Sequence, residues 1–252
     1  MNEGEIPQYY VEHSHEAIID PEEWDAVQAE FSRRKALGRQ YSGKSVFSAK
    51  IICGDCGSFY GSKVWHSNSR YRKTIFQCNH KFKGAARCAT PHFDEEDLKR
   101  RFIRVWNSLL SGKEDLVDDC RLIQEKLTNT SDIERRIVEL TNELEIVIGL
   151  TRQCVDNNAH SVQDQSEYAV RYDNYVRRYE TIKAEIEKLE NEKGNRLVKA
   201  EAIRRFASEL ISAGDQKLVF DDQLFLVTVD TITAHRDGRL VFRFIDGTEV
   251  EG

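Results

Sequence analysis

The chain has 252 residues, of which 40 % are hydrophobic and 32 % are charged, and its formal net charge is −6. This length suffices for one large or two modest domains, and the high charge content predicts much solvated helix surface instead of one compact body. No stretch approaches the roughly 18 apolar residues of a membrane span. The opening MNEGEIPQYY also lacks the pattern of a secretory signal. We therefore expect a cytosolic protein that makes no membrane contact.

The segment AIIDPEEWDAVQAEFSRRKALG, residues 17–38, predicts the first helix. Asp20 is a suitable N-cap, Pro21 suits the first helical position and Gly38 suits the end. The apolar positions at helical spacing predict a buried stripe, formed by Ile19, Trp24, Val27 and Phe31. The polar and basic stretch that follows, up to residue 50, predicts a linker or a phosphate-contacting loop.

Four of the six cysteines follow as two pairs, Cys53 with Cys56 and Cys78 with Cys88. In a reducing cytosol, a Cys-x-x-Cys pair outside a βαβ unit is more often half of a metal site than a disulfide. The segment between the pairs predicts a β-hairpin, and Gly54 and Gly57 suit a tight turn around an ion. The arrangement predicts a zinc ribbon with one structural Zn²⁺ held by four thiolates.

The nine residues between Cys78 and Cys88 leave alternatives open. His80 or His92 could replace one cysteine as a ligand, or the four thiols could be buried and free. The remaining cysteines, Cys120 and Cys154, are predicted to take no part in metal binding.

Charge is distributed unevenly along the chain. Residues 32–93 hold thirteen Lys or Arg and one acid, Asp55, whereas residues 94–150 hold fourteen acids and nine bases. Clustered cations are what phosphate neutralisation requires, so this pattern predicts a nucleic-acid-binding module on an acidic scaffold. A merely solvated basic face is the alternative.

The hairpin is the predicted DNA-contacting element, because HSNSR between the two strand-like segments is rich in turn formers. The candidate contacts on its tip and flanks are Lys63, His66, Ser67, Asn68, Ser69, Arg70, Arg72 and Lys73. Beside the second cysteine pair the candidates are Lys81, Lys83 and Arg87. Asn68 and Ser69 could serve the turn alone, and Trp65 and Phe76 are assigned to the ribbon core instead of base stacking.

Helical patterns begin at Asp94, where FDEEDLKRRFIRVWNSLL has one apolar face that we expect to pack against the ribbon and the first helix. Ser131 with Glu134 forms a capping box ahead of a new helix. Two series of apolar positions then step by three and four residues: Ile133, Ile137, Leu140, Leu144 and Val147, and Tyr168, Tyr172, Tyr175, Tyr179, Ile182, Ile186 and Leu189.

These two series predict an antiparallel coiled-coil arm over residues 132–192. A first helix of about twenty residues would project roughly 30 Å. The apolar tip residues have no evident partner within the arm, so Val155, Val162 and Tyr168 are the candidate contacts with another arm.

After Gly194 the pattern predicts a helix in RLVKAEAIRRFASELISAG and a short helix capped by Asp221. Asp-Gly turns at 237–238 and 246–247 then predict a three-stranded meander. The fold class is therefore α+β, a zinc-ribbon-containing DNA-binding domain with an inserted long antiparallel coiled-coil arm. The predicted division assigns residues 1–131 to the first part of that domain, with the ribbon at 46–93, residues 132–192 to the arm, and residues 193–252 to the closing part.

In this order the segments YYVEHSHEAIIDPEEWDAVQ, CGDCGSFYGSKVWHSNSRYRKTIFQCNHKFKGAARCATPH, DQSEYAVRYDNYVRRYE and DGRLVFRFIDGTEVE resemble the C-terminal portion of the large serine recombinases. These are the serine integrases of phages and mobile elements. The resemblance covers nearly the whole chain. It implies that Cys53, Cys56, Cys78 and Cys88 hold structural zinc and that the domain binds the outer part of each attachment half-site in double-stranded DNA.

The resemblance further implies that the arm contacts other recombinase protomers during synapsis and helps to set the direction of recombination. A recombination directionality factor is a further implied partner, and the cytoplasm of a bacterial host is the implied location. The family's catalytic domain has no counterpart in the sequence, and Ser42, Ser45 and Ser48 lack the setting of a nucleophile, so we expect no enzymatic activity. Two other classes stay open: a zinc-ribbon transcription or repair accessory protein, and a zinc-stabilised adaptor for protein contacts.

Overall fold

The computed structural model describes residues 45–83, 87–162, 164–217 and 219–252, together with seven single positions between Ile18 and Lys35. The start of the predicted first helix at Asp20 and its end at Gly38 lie outside the described residues.

The buried stripe predicted for the first helix is wrong. The structure describes the four side chains of this stripe, and they are 44–63 % exposed: Ile19, Trp24, Val27 and Phe31. The reason is that the apolar face of the helix beginning at Glu95 is covered by the C-terminal part of the chain, since Trp106 packs edge-on against Phe206 and also contacts Phe244.

The ribbon begins with a short strand β1 (Ile51–Cys53), followed by the hairpin strands β2 (Tyr60–Trp65) and β3 (Lys73–Cys78) and by β4 (Phe93–Asp94). β2, β3 and β4 form an antiparallel sheet in which Tyr60 is opposite Cys78 and Trp65 is opposite Lys73. In β2, Tyr60 is buried, whereas the side chains from Ser62 to Trp65 are exposed. The outer half of the hairpin therefore protrudes from the domain.

Five helices are described: α1 (Glu95–Leu110), α2 (Lys113–Thr128), α3 (Ser131–His160), α4 (Gln165–Ser212) and α5 (Asp222–Thr228). The predicted cap of α5 is confirmed, since the Asp221 carboxylate accepts a hydrogen bond from the Leu224 amide at 3.0 Å. The cap of α3 is Thr130 instead of Ser131, and the Thr130 hydroxyl donates to the Glu134 carboxylate at 3.1 Å. Within the described part of the chain, no helix is both long and apolar enough to cross a membrane.

The predicted meander is present as β5 (Val229–Ala234), β6 (Leu240–Phe244) and β7 (Glu249–Glu251). Gly238 and Gly247 occupy its turns with φ of 91° and 102°, which L side chains rarely adopt. β1 joins this sheet as an edge strand parallel to β5, so the order is β1-β5-β6-β7. The two ends of the domain thus share one core, which includes Phe47, Phe76, Phe102, Phe225 and Phe242.

α4 is one continuous helix of 48 residues, which passes through Gly194 without interruption. The sequence predicts the arm helix and the helix after Gly194 as separate helices, and the structure joins them into one. A glycine in a helix interior costs about 1 kcal/mol relative to alanine. Burial of apolar residues on both sides offsets that cost, with Ile182 in the arm and Ile203 and Phe206 in the main core.

The arm consists of α3 and the first part of α4, packed antiparallel around Leu140, Val147 and Ile182. At 1.5 Å per residue, the 30 residues of α3 span about 45 Å, which is longer than the sequence predicts. Three ion pairs join the two helices, Arg136 with Glu185, Arg178 with Glu143 and Lys193 with Glu134. The fold is thus a mixed α/β fold with a ribbon domain and a long helical arm, which confirms the predicted fold class.

Candidate metal centre and nucleic-acid interface

The first cysteine pair lies on a tight turn at the end of β1. The Gly57 amide donates to the Cys53 carbonyl at 2.9 Å, and the Cys53 amide donates to the Ser58 carbonyl at 2.9 Å. Gly57 has a φ of +67°, so the turn uses the conformational freedom that the sequence provides there. Both Cys53 and Cys56 are thereby directed to one side of the turn.

The second pair comes from the end of β3 and from the segment before β4, and it meets the first pair. The Cys53 and Cys88 sulfurs are 3.4 Å apart, as are those of Cys56 and Cys78, and all four sulfurs lie within 4.8 Å of one another. Zn–S bonds of about 2.3 Å imply tetrahedral sulfur–sulfur distances of about 3.8 Å, which this cluster matches. A disulfide would need about 2.05 Å, and the cysteines are free thiols.

The residues present therefore fit a Zn²⁺ ion with four thiolate ligands. Such an ion would supply a cross-link between the two turns and no chemistry of its own. Neither His80 nor His92 belongs to the cluster, and the His92 ring instead packs on Trp65 with 4.5 Å between ring centroids.

Cys120 and Cys154 lie outside the cluster, as the sequence predicts. Cys120 is buried in the main core, and burial raises the pKa of its thiol to about 11. Cys154 lies on α3, in the arm.

Thr90 completes the surroundings of the cysteines, and sequence reasoning missed it. Its side chain is fully buried, and its hydroxyl lies 3.0 Å from the Cys88 sulfur and 3.4 Å from the Cys53 sulfur. Burial acts to raise the pKa of Cys88, but hydrogen bonds to the Thr90 side chain and backbone outweigh it and lower that pKa to about 7. No spacing rule points to a threonine two residues after a ligand.

The hairpin tip presents several exposed polar groups to solvent. Ser69 builds the turn, since its amide donates to the His66 carbonyl at 3.0 Å and its hydroxyl accepts from the Tyr71 amide at 3.2 Å. The Arg70 guanidinium donates to the Tyr71 hydroxyl at 2.6 Å. The side chains of His66, Ser67, Asn68 and Arg72 are exposed at the same end.

The predicted DNA-contacting cations differ in whether they have partners inside the chain. Lys73 pairs with Asp94 at 3.0 Å, and Lys81 donates to the Thr90 carbonyl at 2.9 Å. Among the described residues, Lys63, Arg72, Lys83 and Arg87 form no salt bridge or side-chain hydrogen bond, and all four are exposed.

The two aromatic residues assigned to the ribbon core differ. Phe76 is fully buried, which confirms its assignment, whereas Trp65 is 37 % exposed and that assignment is wrong. Trp65 lies on the protruding half of the hairpin, where it contacts His92 and the Lys73 ammonium instead of the core. Exposed Tyr71 and Phe82 add aromatic surface that the sequence reasoning did not select.

The predicted arm contacts lie close to the α3–α4 turn. Val155 and Val162 are exposed, and Val162 is fully so. Tyr168 is half-buried, and its ring stacks on Tyr172 with 6.0 Å between centroids. Tyr175 and Tyr179 instead pack within the arm.

Comparisons with known proteins found a family match and a structural match. Residues 46–107 match the family described as "Recombinase zinc beta ribbon domain". A structural search found the crystal structure of a complex of an LSR, a large serine recombinase, with DNA. This chain shares 18 % sequence identity and a TM-score of 0.36 with it, and the match covers 91 % of this chain and 65 % of that one. The curated proteins searched include no match.

The family match confirms the resemblance to recombinases. The segment from 46 to 107 is similar to the recombinase zinc beta ribbon domain, and it contains the four-cysteine cluster, the protruding hairpin and most of α1.

Proposed function

We propose that this chain is the non-catalytic DNA-binding and synapsis-controlling region of a site-specific serine recombinase. Its zinc-ribbon domain, stabilised by one Zn²⁺ ion, binds double-stranded attachment-site DNA. The observation that carries the proposal is the protruding, positively charged β2–β3 hairpin, within a segment that matches the recombinase zinc ribbon family.

Charge supports a DNA partner for this hairpin. Asp55 is the single acid between residues 32 and 93, and its carboxylate is paired with Arg236 at 2.8 Å. The exposed Lys63 and Arg72 have no acidic partner among the described residues. Binding of such cations to phosphates releases counterions, which gives affinity that falls with salt.

The tip also has groups suited to contacts with bases. An arginine can donate two hydrogen bonds to guanine, and Arg70 and Arg72 are both exposed at the end of the hairpin. Asn68 can pair with adenine in the same way, while Ser67 and Lys63 suit phosphate oxygens. Lys83 and Arg87 extend the proposed interface beside the second cysteine pair.

The first prediction concerns the tip. Replacing Lys63, Arg70, Arg72 and Lys73 by alanine should remove most DNA affinity, and four lost phosphate contacts would make the salt slope less steep by up to about 3.6. If Arg72 contacts a base, Arg72→Ala alone should cost about 1–3 kcal/mol and relax preference at one position. Gel-shift titrations over a salt series, on candidate attachment sites and on random duplex, measure both effects.

The matched control removes four exposed cations from the arm: Arg152, Arg177, Lys183 and Lys188. It changes the net charge equally and should leave DNA affinity nearly unchanged. Unchanged affinity in the tip variant would move the interface to NHKFKGAAR. Salt-independent or absent DNA binding by the intact chain would instead favour the adaptor, and protection of DNA without recombinase half-site symmetry would favour the accessory protein.

The arm has a different proposed role. We assign residues 132–192 to contacts with other recombinase protomers, through Val155, Val162 and Tyr168, and residues 1–131 and 193–252 to the DNA-binding domain. A directionality factor acts on the same assembly in this proposal, within the cytoplasm of a bacterial host. The proposal gives the chain no catalytic residue.

A further inference from the structure

We infer that Thr90 is a positioning residue of the metal centre, which holds the Cys53 and Cys88 thiolates in place and so slows release of the metal. The inference rests on the zinc-binding role in the proposed function. Thr90 is not itself a metal ligand, but it links the two cysteine pairs.

The position of the Thr90 hydroxyl supports this role. It contacts one sulfur from each pair, Cys88 at 3.0 Å and Cys53 at 3.4 Å. A hydroxyl has one proton, so it donates to the closer thiolate and lies within contact distance of the other. Thr90 therefore contacts both turns that a metal ion would join.

The backbone around Thr90 is itself fixed from two sides. The Lys81 ammonium donates to the Thr90 carbonyl at 2.9 Å, and the Tyr60 hydroxyl donates to the Pro91 carbonyl at 3.1 Å. Lys81 follows Cys78 by three residues, and Tyr60 is opposite Cys78 in the hairpin. Both contacts tie the Thr90 segment to the elements that carry the other ligands.

The electrostatic reason concerns the charge of the centre. Four thiolates with one Zn²⁺ carry a net charge of −2, and Cys53 and Cys78 are buried. Hydrogen-bond donors to such thiolates stabilise their charge and fix their direction, so a partner outside the ligand shell affects how firmly the metal is held. Within the described residues, Thr90 is the one side chain other than cysteine whose hydroxyl contacts one sulfur from each pair, Cys88 and Cys53.

The test compares Thr90→Val with Thr90→Ser in the full chain. Valine keeps the shape and removes the hydroxyl, whereas serine keeps the hydroxyl. Loss of such a partner typically weakens metal affinity about 10- to 100-fold. We expect Thr90→Val to lose this affinity and to release zinc to a chromogenic chelator correspondingly faster than the unaltered chain. Thr90→Ser should stay close to the unaltered rate, and equal rates for valine and unaltered chains would overturn the inference.

A second pair of variants decides the matter if valine prevents folding. Lys81→Met removes the donor to the Thr90 carbonyl, whereas Lys83→Met removes an exposed neighbouring charge without touching the site. Faster zinc release for Lys81→Met alone supports the inference, and equal release from both variants overturns it. Absence of stoichiometric zinc in the unaltered chain, by metal analysis, is a separate outcome that would refute the proposed zinc centre itself.

Discussion

Replacing Cys53 by serine should release the metal, unfold residues near 50–93 and abolish DNA binding, while the arm stays helical. Thiolate ligation couples metal binding to folding, and structural zinc contributes about 10–16 kcal/mol in zinc-finger peptides at neutral pH. That is comparable with the whole stability of a typical domain, about 5–15 kcal/mol. Metal analysis, circular dichroism and gel shifts measure the three effects.

The structure explains why the loss should stay local. β1 is an edge strand of the four-stranded sheet, so β5, β6 and β7 keep their own pairing when it detaches. The arm has a separate apolar cluster around Leu140, Val147 and Ile182, which contains no ribbon residue. Strong chelation of the unaltered chain should therefore reproduce the effect of the substitution.

Cys154→Ser provides the matched control, because the arm cysteine is outside the cluster and partly exposed. It should retain both the metal and DNA binding. Cys120→Ser should also retain the metal, although it places a hydroxyl in the main core and lowers stability. A chain with Cys53→Ser that folds without zinc would refute a structural role for the metal.

Local sequence patterns predicted the parts of this protein that depend on local geometry. The first cysteine pair lies on a turn whose Gly57 is visible in the sequence, and the Asp-Gly turns define the meander because only a few residues adopt positive φ there. The arm followed from apolar spacing, since Leu140 and Val147 are one heptad apart and both are buried.

Contacts between distant segments could not be predicted in the same way. β1 has three residues, too few for a periodic pattern, and its partner Ile232 lies far along the chain. The sequence predicted separate helices on the two sides of Gly194, whereas burial on both sides keeps α4 continuous. Thr90 could not be selected from the sequence, because its contacts with the Cys53 and Cys88 sulfurs depend on how the folded chain brings these residues together.

Candidate DNA contacts illustrate the same limit. The charge pattern predicted Lys73 and Lys81 as DNA contacts together with the other cations, because a count of charges does not show which ammonium groups are already paired within the chain. The structure gives Lys73 a carboxylate and Lys81 a carbonyl. Lys63 and Arg72 are thus the better candidates for contacts that change on DNA binding.

Deleting residues 132–192, with a short flexible linker across the gap, should preserve binding to a single DNA site and abolish pairing of two sites. The two helices meet at the base of the arm, where the Lys193 ammonium lies 2.6 Å from the Glu134 carboxylate, so a short linker can join the cut ends. The deleted segment holds eight Lys or Arg against fourteen Asp or Glu, so its loss removes net negative charge and leaves the basic hairpin unchanged. α2 and the C-terminal part of α4 remain to close the core around Ile203 and Phe206.

The experiment places the deletion in a full-length recombinase and counts paired attachment sites by gel shift or single-molecule imaging. Pairing at the unaltered level would exclude the assembly role. Lost single-site binding would show instead that the arm is part of the DNA-binding fold. The milder variant, with serine at Val155, Val162 and Tyr168, should also lower pairing, whereas Val138→Ser, an exposed valine nearer the base of α3, should not.

The tip contact is expected to be weak in free solution, because the apolar surface it offers is small and two of the arm's tyrosines, Tyr175 and Tyr179, are already packed inside it. On DNA, each arm is held near its counterpart at an effective concentration that can reach the millimolar range, so a feeble contact suffices. The continuous α4 connects this contact to the DNA-binding domain, because one helix supplies both Ile182 in the arm and Phe206 in the domain core. The orientation of the arm should therefore follow the orientation of the domain on its DNA site, so that pairing depends on which site is bound.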